Sequence, residues 1–110
     1  MAISYSDFEK VEIRTGTILE VNDFPGAKKP AFQLIIDFGI HGIKRSSAQI
    51  TSHYTKEELL GKQIVAVVNF PAKQIANFFS ECLVLGAIQT DGSVILLQPD
   101  KGVENGLRIA

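Results

Sequence analysis

Period-two alternation of apolar and polar residues runs through most of this chain, and it confines the fold to curled β-sheet. Between positions 31 and 38, Phe32, Leu34, Ile36 and Phe38 fall on one face of an extended backbone, and Gln33, Ile35 and Asp37 on the other. That spacing is what a half-buried strand requires. The stretch 11–21 repeats it, with Val11, Ile13, Thr15, Thr17, Leu19 and Val21 set against Glu12, Arg14 and Glu20. Ile18 interrupts the alternation and, with Gly16, marks a bend. Gly39 and Gly42 bracket a short turn into a third strand, 43–48, so these two runs read as a hairpin. Gln63 to Phe70 is nearly continuously β-branched, as in a strand covered on both faces, and Pro71 ends it. Cys82 to Ile88 is another apolar strand, and Asp91-Gly92 turns it into a short sixth one at 94–97.

Helix signals are few. Thr55-Lys-Glu-Glu58 is a capping box, in which the Thr hydroxyl accepts from the Glu58 amide and the Glu58 carboxylate reaches back to the Thr55 amide. Gly61 supplies the stop, for a helix of about two turns. Ser6 is placed to cap a shorter turn through Asp7, Phe8 and Glu9. Asn22 to Gly26 is a turn cluster, 71–80 reads as a long loop, and 99–110 as an irregular tail. Three strands, a short helix, then two strands is the order of an OB fold. The expectation is therefore an all-β, five-stranded Greek-key barrel with one short helix between strands three and four. N- and C-terminal extensions complete it, and residues 1–110 form one domain. A small mixed α+β sheet is the alternative.

Composition bounds the function. At 45% apolar residues a real core forms, yet no run approaches the roughly 20 residues that cross a bilayer. The first ten residues lack a basic segment followed by an apolar one, so a cytoplasmic protein without membrane insertion is expected. The single Cys82 excludes an internal disulfide and a multi-cysteine metal site. Net charge is −1, but it is unevenly spread. Residues 1–27 carry five acids and two bases, 28–73 seven bases and three acids, and 74–110 four acids and two bases. A basic middle between acidic ends permits a local anion-binding face.

Catalytic constellations are absent from this pattern. There is no Gly-rich phosphate loop and no paired His at metal spacing. His41 and His53 read as solvated loop residues. Ser46 and Ser47 assemble with His53 and Asp37 into a triad only on paper, without the strand-to-helix turn that exposes a nucleophile. Cys82 lies in an apolar strand with nothing adjacent to lower its pKa. A non-enzyme with no cofactor and no metal is expected.

The bases, by contrast, fall where an OB barrel binds: on strands two and three and on the loops joining strands one to two and four to five. Lys28 and Lys29 lie in the first loop, Arg45 on strand three, and Lys73 and Gln74 in the second loop. Asn69 sits at the exit of strand four, where its amide suits a base edge or a phosphate. Lys44 and Arg45 point to opposite faces unless a bulge intervenes. Lys56 and Lys62 read as ordinary surface lysines. The second loop also gathers Phe70, Ile75, Phe78 and Phe79, suited to stack on bases or to hold an apolar peptide. At least one of the three Phe residues is expected to be core.

Several blocks carry a resemblance: Phe8 to Ile18, Phe24 to Pro30, Ile36 to Gly39, Lys44 to Ile50, Val68 to Ile75 and Ser80 to Gly86. They are similar to the CsaA family, a subset of the stand-alone tRNA-binding OB domains, and together they span nearly the whole chain. Related domains accompany some methionyl- and phenylalanyl-tRNA synthetases. The resemblance implies an OB-fold homodimer with a chaperone role in protein export, binding unfolded or precursor polypeptides and the secretion ATPase. It implies kinship with tRNA binders too, whose typical strand-four Asn and following Ser are matched by Asn69 and Ser80. Glu81 stands where those relatives usually carry a small residue.

Overall fold

A computed structural model describes residues 1–110. In chain order the elements are α1 (Tyr5–Glu9), β1 (Ile13–Asp23), β2 (Phe32–Asp37), a 3-10 turn (Gly39–His41), β3 (Ile43–Ala48), α2 (Lys56–Leu59), β4 (Gln63–Val67), β5 (Lys73–Ile75), β6 (Phe78–Ser80), β7 (Leu83–Val84), β8 (Gly86–Ile88) and β9 (Val94–Leu96). β3, β2, β1, β4 and β7 form one antiparallel sheet in that spatial order, curled into a nearly closed barrel. The expected OB-type barrel is borne out, with α2 between β3 and β4. No helix is long and apolar enough to cross a membrane.

β2 behaves as its alternation demands: Phe32, Leu34, Ile36 and Phe38 are buried and join Ile18, Ile50, Leu59 and Ile64 in the main core. β1 departs from its own pattern. Its register against β2 slips between Ile18 and Glu20, which leaves Leu19 as the extra residue of a β-bulge. Ile18 is therefore inside at 1% exposure and Leu19 outside at 46%, the reverse of simple alternation. The bulge lets one strand serve two neighbours, β4 along residues 13–17 and β2 along 17–23. Gly16 permits the curl, because a Cβ there would lie 2.7 Å from the Phe38 ring and 2.8 Å from Ile36. The C-terminal tail forms no helix or strand, as expected, but it is tied to β1 around an isolated bridge between Arg14 and Arg108. Ile109 N–H donates to Ile13 O, Thr15 N–H to Leu107 O and Gly106 N–H to Thr15 O, which covers the otherwise open edge of β1.

Other expectations need correction. α1 is capped by Ser4, not Ser6: Ser4 Oγ accepts from Asp7 N–H, and the Asp7 carboxylate accepts Ser4 N–H in return. α2 keeps its Thr55–Glu58 capping box but spans one turn, because Leu60 is already extended and Gly61 is left-handed at φ 81°. β4 stops at Val67 rather than Phe70. The strand expected over 82–88 divides into β7 and β8. The loop 71–80 is a tight β5–β6 ribbon, turned by Ala76 at φ 53° and Asn77.

Candidate functional site

Alternation along the β5–β6 ribbon sorts the candidate residues. Lys73 pairs with Ser80 and Ile75 with Phe78, on one face; Gln74 pairs with Phe79 on the other. Phe78 is buried at 6% exposure, packed against Phe24 with ring centroids 5.4 Å apart and with the Arg45 guanidinium 5.4 Å above its ring. Ala31, Ala27 and Ile75 complete this small second core, which anchors the loop that bears Lys28 and Lys29. Phe70 and Phe79 remain exposed at 55% and 45%. One Phe of the three is thus core, as expected, and Phe79 faces away from Phe78's side of the ribbon.

Between the ribbon, β3 and the β7–β8 segment lies a groove of about 670 Å³. Ten of its sixteen lining residues are hydrophobic, and Lys73 is its one charged residue. Phe70, Ile75, Lys73 and Ser80 meet here, on a floor that includes Ile50, Leu83 and Ile88. Ile88 is 78% exposed, and together with exposed Phe70 and Leu83 it makes a patch rather than a lone apolar side chain. Leu83, Ile88 and Val94 were missed in the sequence because an apolar strand reads as core. The signal was Leu83-Val84-Leu85, apolar on both faces in a segment too short to be covered on both.

Polar residues line up beside the groove. Ser80 Oγ accepts Ser47 N–H at 3.1 Å and lies beside Lys73, and Arg45 shares the Ser47 face of β3. Lys44 falls on the opposite face, as expected. Gln49 lines both the groove and a depression of about 440 Å³, lined mainly by polar residues, that holds Lys29, Ser52, His53 and Asp91. Lys28 is exposed on the same loop as Lys29. Gln74 Nε2 donates to Ala76 O and so supports its own turn. The Asn69 amide is engaged by Lys10 and Glu12 of the N-terminal segment.

Two features bear on chemistry. Burial pushes the Cys82 thiol up to about 12, which holds it protonated. In the polar depression His53 Nε2 is 2.9 Å from Ser93 Oγ. The Ser93 hydroxyl donates to Asp91, whose carboxylate also accepts Ser93 N–H and is held below its usual range by those bonds. A nucleophilic serine gives its proton to the histidine while the carboxylate orients the ring. Here the serine hydroxyl donates its hydrogen bond to the carboxylate instead, so the trio braces the β8–β9 turn.

A family model described as "Putative tRNA binding domain" matches residues 13–108. Methionine–tRNA ligase of Porphyromonas gingivalis is 36% identical over 107 residues, 97% of this chain. The chain spans about 15% of the length of the curated relatives it matches. Among solved structures, a CsaA chaperone protein from Picrophilus torridus has a TM-score of 0.92 at 60% identity, over 99% of this chain and 100% of that one. Chaperone CsaA from Bacillus anthracis has a TM-score of 0.95 at 48% identity, over 100% of both.

Proposed function

The chain belongs to the tRNA-binding domain family, in its CsaA branch, and on that premise we propose that it is a non-catalytic chaperone that holds unfolded or precursor polypeptides. The observation that carries this reading is the groove: aliphatic, open, and bounded by one lysine. An aliphatic side chain that enters it leaves water at about 25 cal/mol per Å² buried, with no demand on its identity. Such tolerance suits a protein that meets many clients. Ile50, Leu83, Ile88 and Val94 supply apolar surface, and Phe70 and Ile75 flank it. Two solved structures similar to it over its whole length bear the name chaperone.

In this reading residues 1–110 act as one OB unit, in the cytoplasm and as a homodimer. Exposed Ile3 and Tyr5 offer apolar surface for a second copy. Two grooves on one dimer grip an extended chain at two points and gain avidity without new contacts. The secretion ATPase is the proposed partner that receives the client.

tRNA binding is the second reading, favoured by the line Arg45–Ser47–Ser80–Lys73 beside the groove and by Lys28 and Lys29. One experiment separates the two. Affinities for an aliphatic extended peptide and for tRNA are measured over a salt series, each ligand also competing with the other. Apolar burial is not screened, so peptide affinity persists in moderate salt. tRNA affinity falls with a slope of about 0.7 to 0.9 per neutralised phosphate. Peptide affinity that collapses with salt as steeply as tRNA affinity overturns the groove reading.

A further inference from the structure

Asn69 stands where the β1–β4 ladder runs out. Ile13 pairs with Val67, and Val68 N–H donates to Glu12 O at 2.9 Å, the last main-chain link between the two strands. Beyond it the Asn69 side chain takes over. Its Oδ1 accepts Glu12 N–H at 3.0 Å, and its Nδ2 donates to Lys10 O at 2.7 Å. A carboxamide carries the donor and the acceptor of a peptide unit. The ladder therefore gains one more step made by a side chain, while the backbone leaves the sheet. The next two residues to leave are Phe70 and Pro71, and both line the groove.

We propose that Asn69 is a positioning residue for the groove: by replacing a peptide link with its own amide, it fixes where the chain departs from β4 and so sets the Phe70 ring. The inference rests on the polypeptide reading given above. Asn69 acts on the ligand through Phe70, without touching it. Chemistry at this position is narrow. Leucine keeps the shape and loses both hydrogen bonds. Aspartate keeps the acceptor but sets a second oxygen against Lys10 O.

The test uses the whole chain, with Asn69→Leu made alone and in a Phe70→Ala background. In the free protein Asn69→Leu is expected to move the Phe70 ring resonances. It also weakens a fluorescein-labelled aliphatic peptide about two- to ten-fold, through the displaced Phe70 ring. In the Phe70→Ala background the same substitution leaves peptide affinity unchanged, though it lowers the melting temperature in both backgrounds. Unmoved Phe70 resonances, or an equal affinity loss in the two backgrounds, overturn the proposal. If the unaltered protein binds no such peptide, the polypeptide reading falls, and the ring resonances still decide the positioning.

Discussion

Arg45 and Glu81 hold each other through backbone and side chain at once. Glu81 N–H donates to Arg45 O at 2.8 Å, Arg45 N–H donates to Glu81 Oε1 at 3.0 Å, and the guanidinium Nε lies 3.5 Å from that same oxygen. One carboxylate thus serves as the missing strand partner for the β3 edge and as the counter-ion of its arginine. With Ser80 Oγ on Ser47 N–H and Ser46 Oγ on Cys82 O, it closes the barrel between β3 and β7. Glu81, expected from the resemblance to be an unusual residue at its position, has a structural use here.

Glu81→Ala removes the acceptor for Arg45 N–H and is expected to cost about 1 kcal/mol, a fall in melting temperature of roughly 4–8 °C. Glu81→Gln keeps an acceptor oxygen and stays within about 0.5 kcal/mol of the parent. It also frees the Arg45 guanidinium, so tRNA affinity rises and its salt dependence steepens by about 0.7 to 0.9. Calorimetry and a binding titration check both; an unchanged salt slope removes Arg45 from the RNA face.

The bulge in β1 predicts an inverted pair of costs. Ile18→Ala empties a site at the centre of the core and should destabilise by about 2–5 kcal/mol. Leu19→Ala, one residue on, should change stability by less than about 0.5 kcal/mol, since its side chain is outside. Urea melts of both variants decide it, and comparable losses would place the bulge elsewhere.

Gly16→Ala forces a methyl to within 2.8 Å of Ile36 and closer still to the Phe38 ring. Overpacking of this kind costs about 1–3 kcal/mol. Adding Phe38→Leu should recover part of the loss, which a double-mutant cycle measures. Additive losses would show that the ring is not the obstacle.

Cys82 gives a pH-dependent signature. Its thiol is pushed by burial from an ordinary 9.0 up to about 12, so ionisation is harder folded than unfolded. Its contribution to stability is complete below about pH 9 and is lost as pH rises through about 12. Relative to Cys82→Ala, the parent should lose stability across that window. A thiol reagent at neutral pH should label the protein only after unfolding. Prompt labelling of the folded protein would contradict the burial.

The legible parts of this protein are those written in neighbouring residues. The alternation of β2, the Thr55–Glu58 box, the β3 limits and the strand–helix order were all readable, because each depends on spacing within a few positions. The candidate site was half legible. Phe70, Ile75, Lys73 and Ser80 do meet, yet the ribbon's pleat turns Gln74 and Phe79 aside and buries Phe78. Reading 71–80 as a loop hid that, since a loop has no faces. Leu83, Ile88 and Val94 stayed hidden because exposure is not a property of a residue type.

By itself the sequence determined the all-β class, the order of strands and helix along the chain and its basic middle, since hydrophobic periodicity and charge are local quantities. Only the tertiary structure decided that Leu19 is bulged out, that Glu81 completes the edge of β3, and that Asn69 stands in for a peptide link. Those arrangements join residues 36, 57 and 59 positions apart, and a bulge is defined only against the strand it faces. Hydrogen bonds of that range are selected when the curled sheet brings the partners within 3 Å or so, and no local pattern records the meeting.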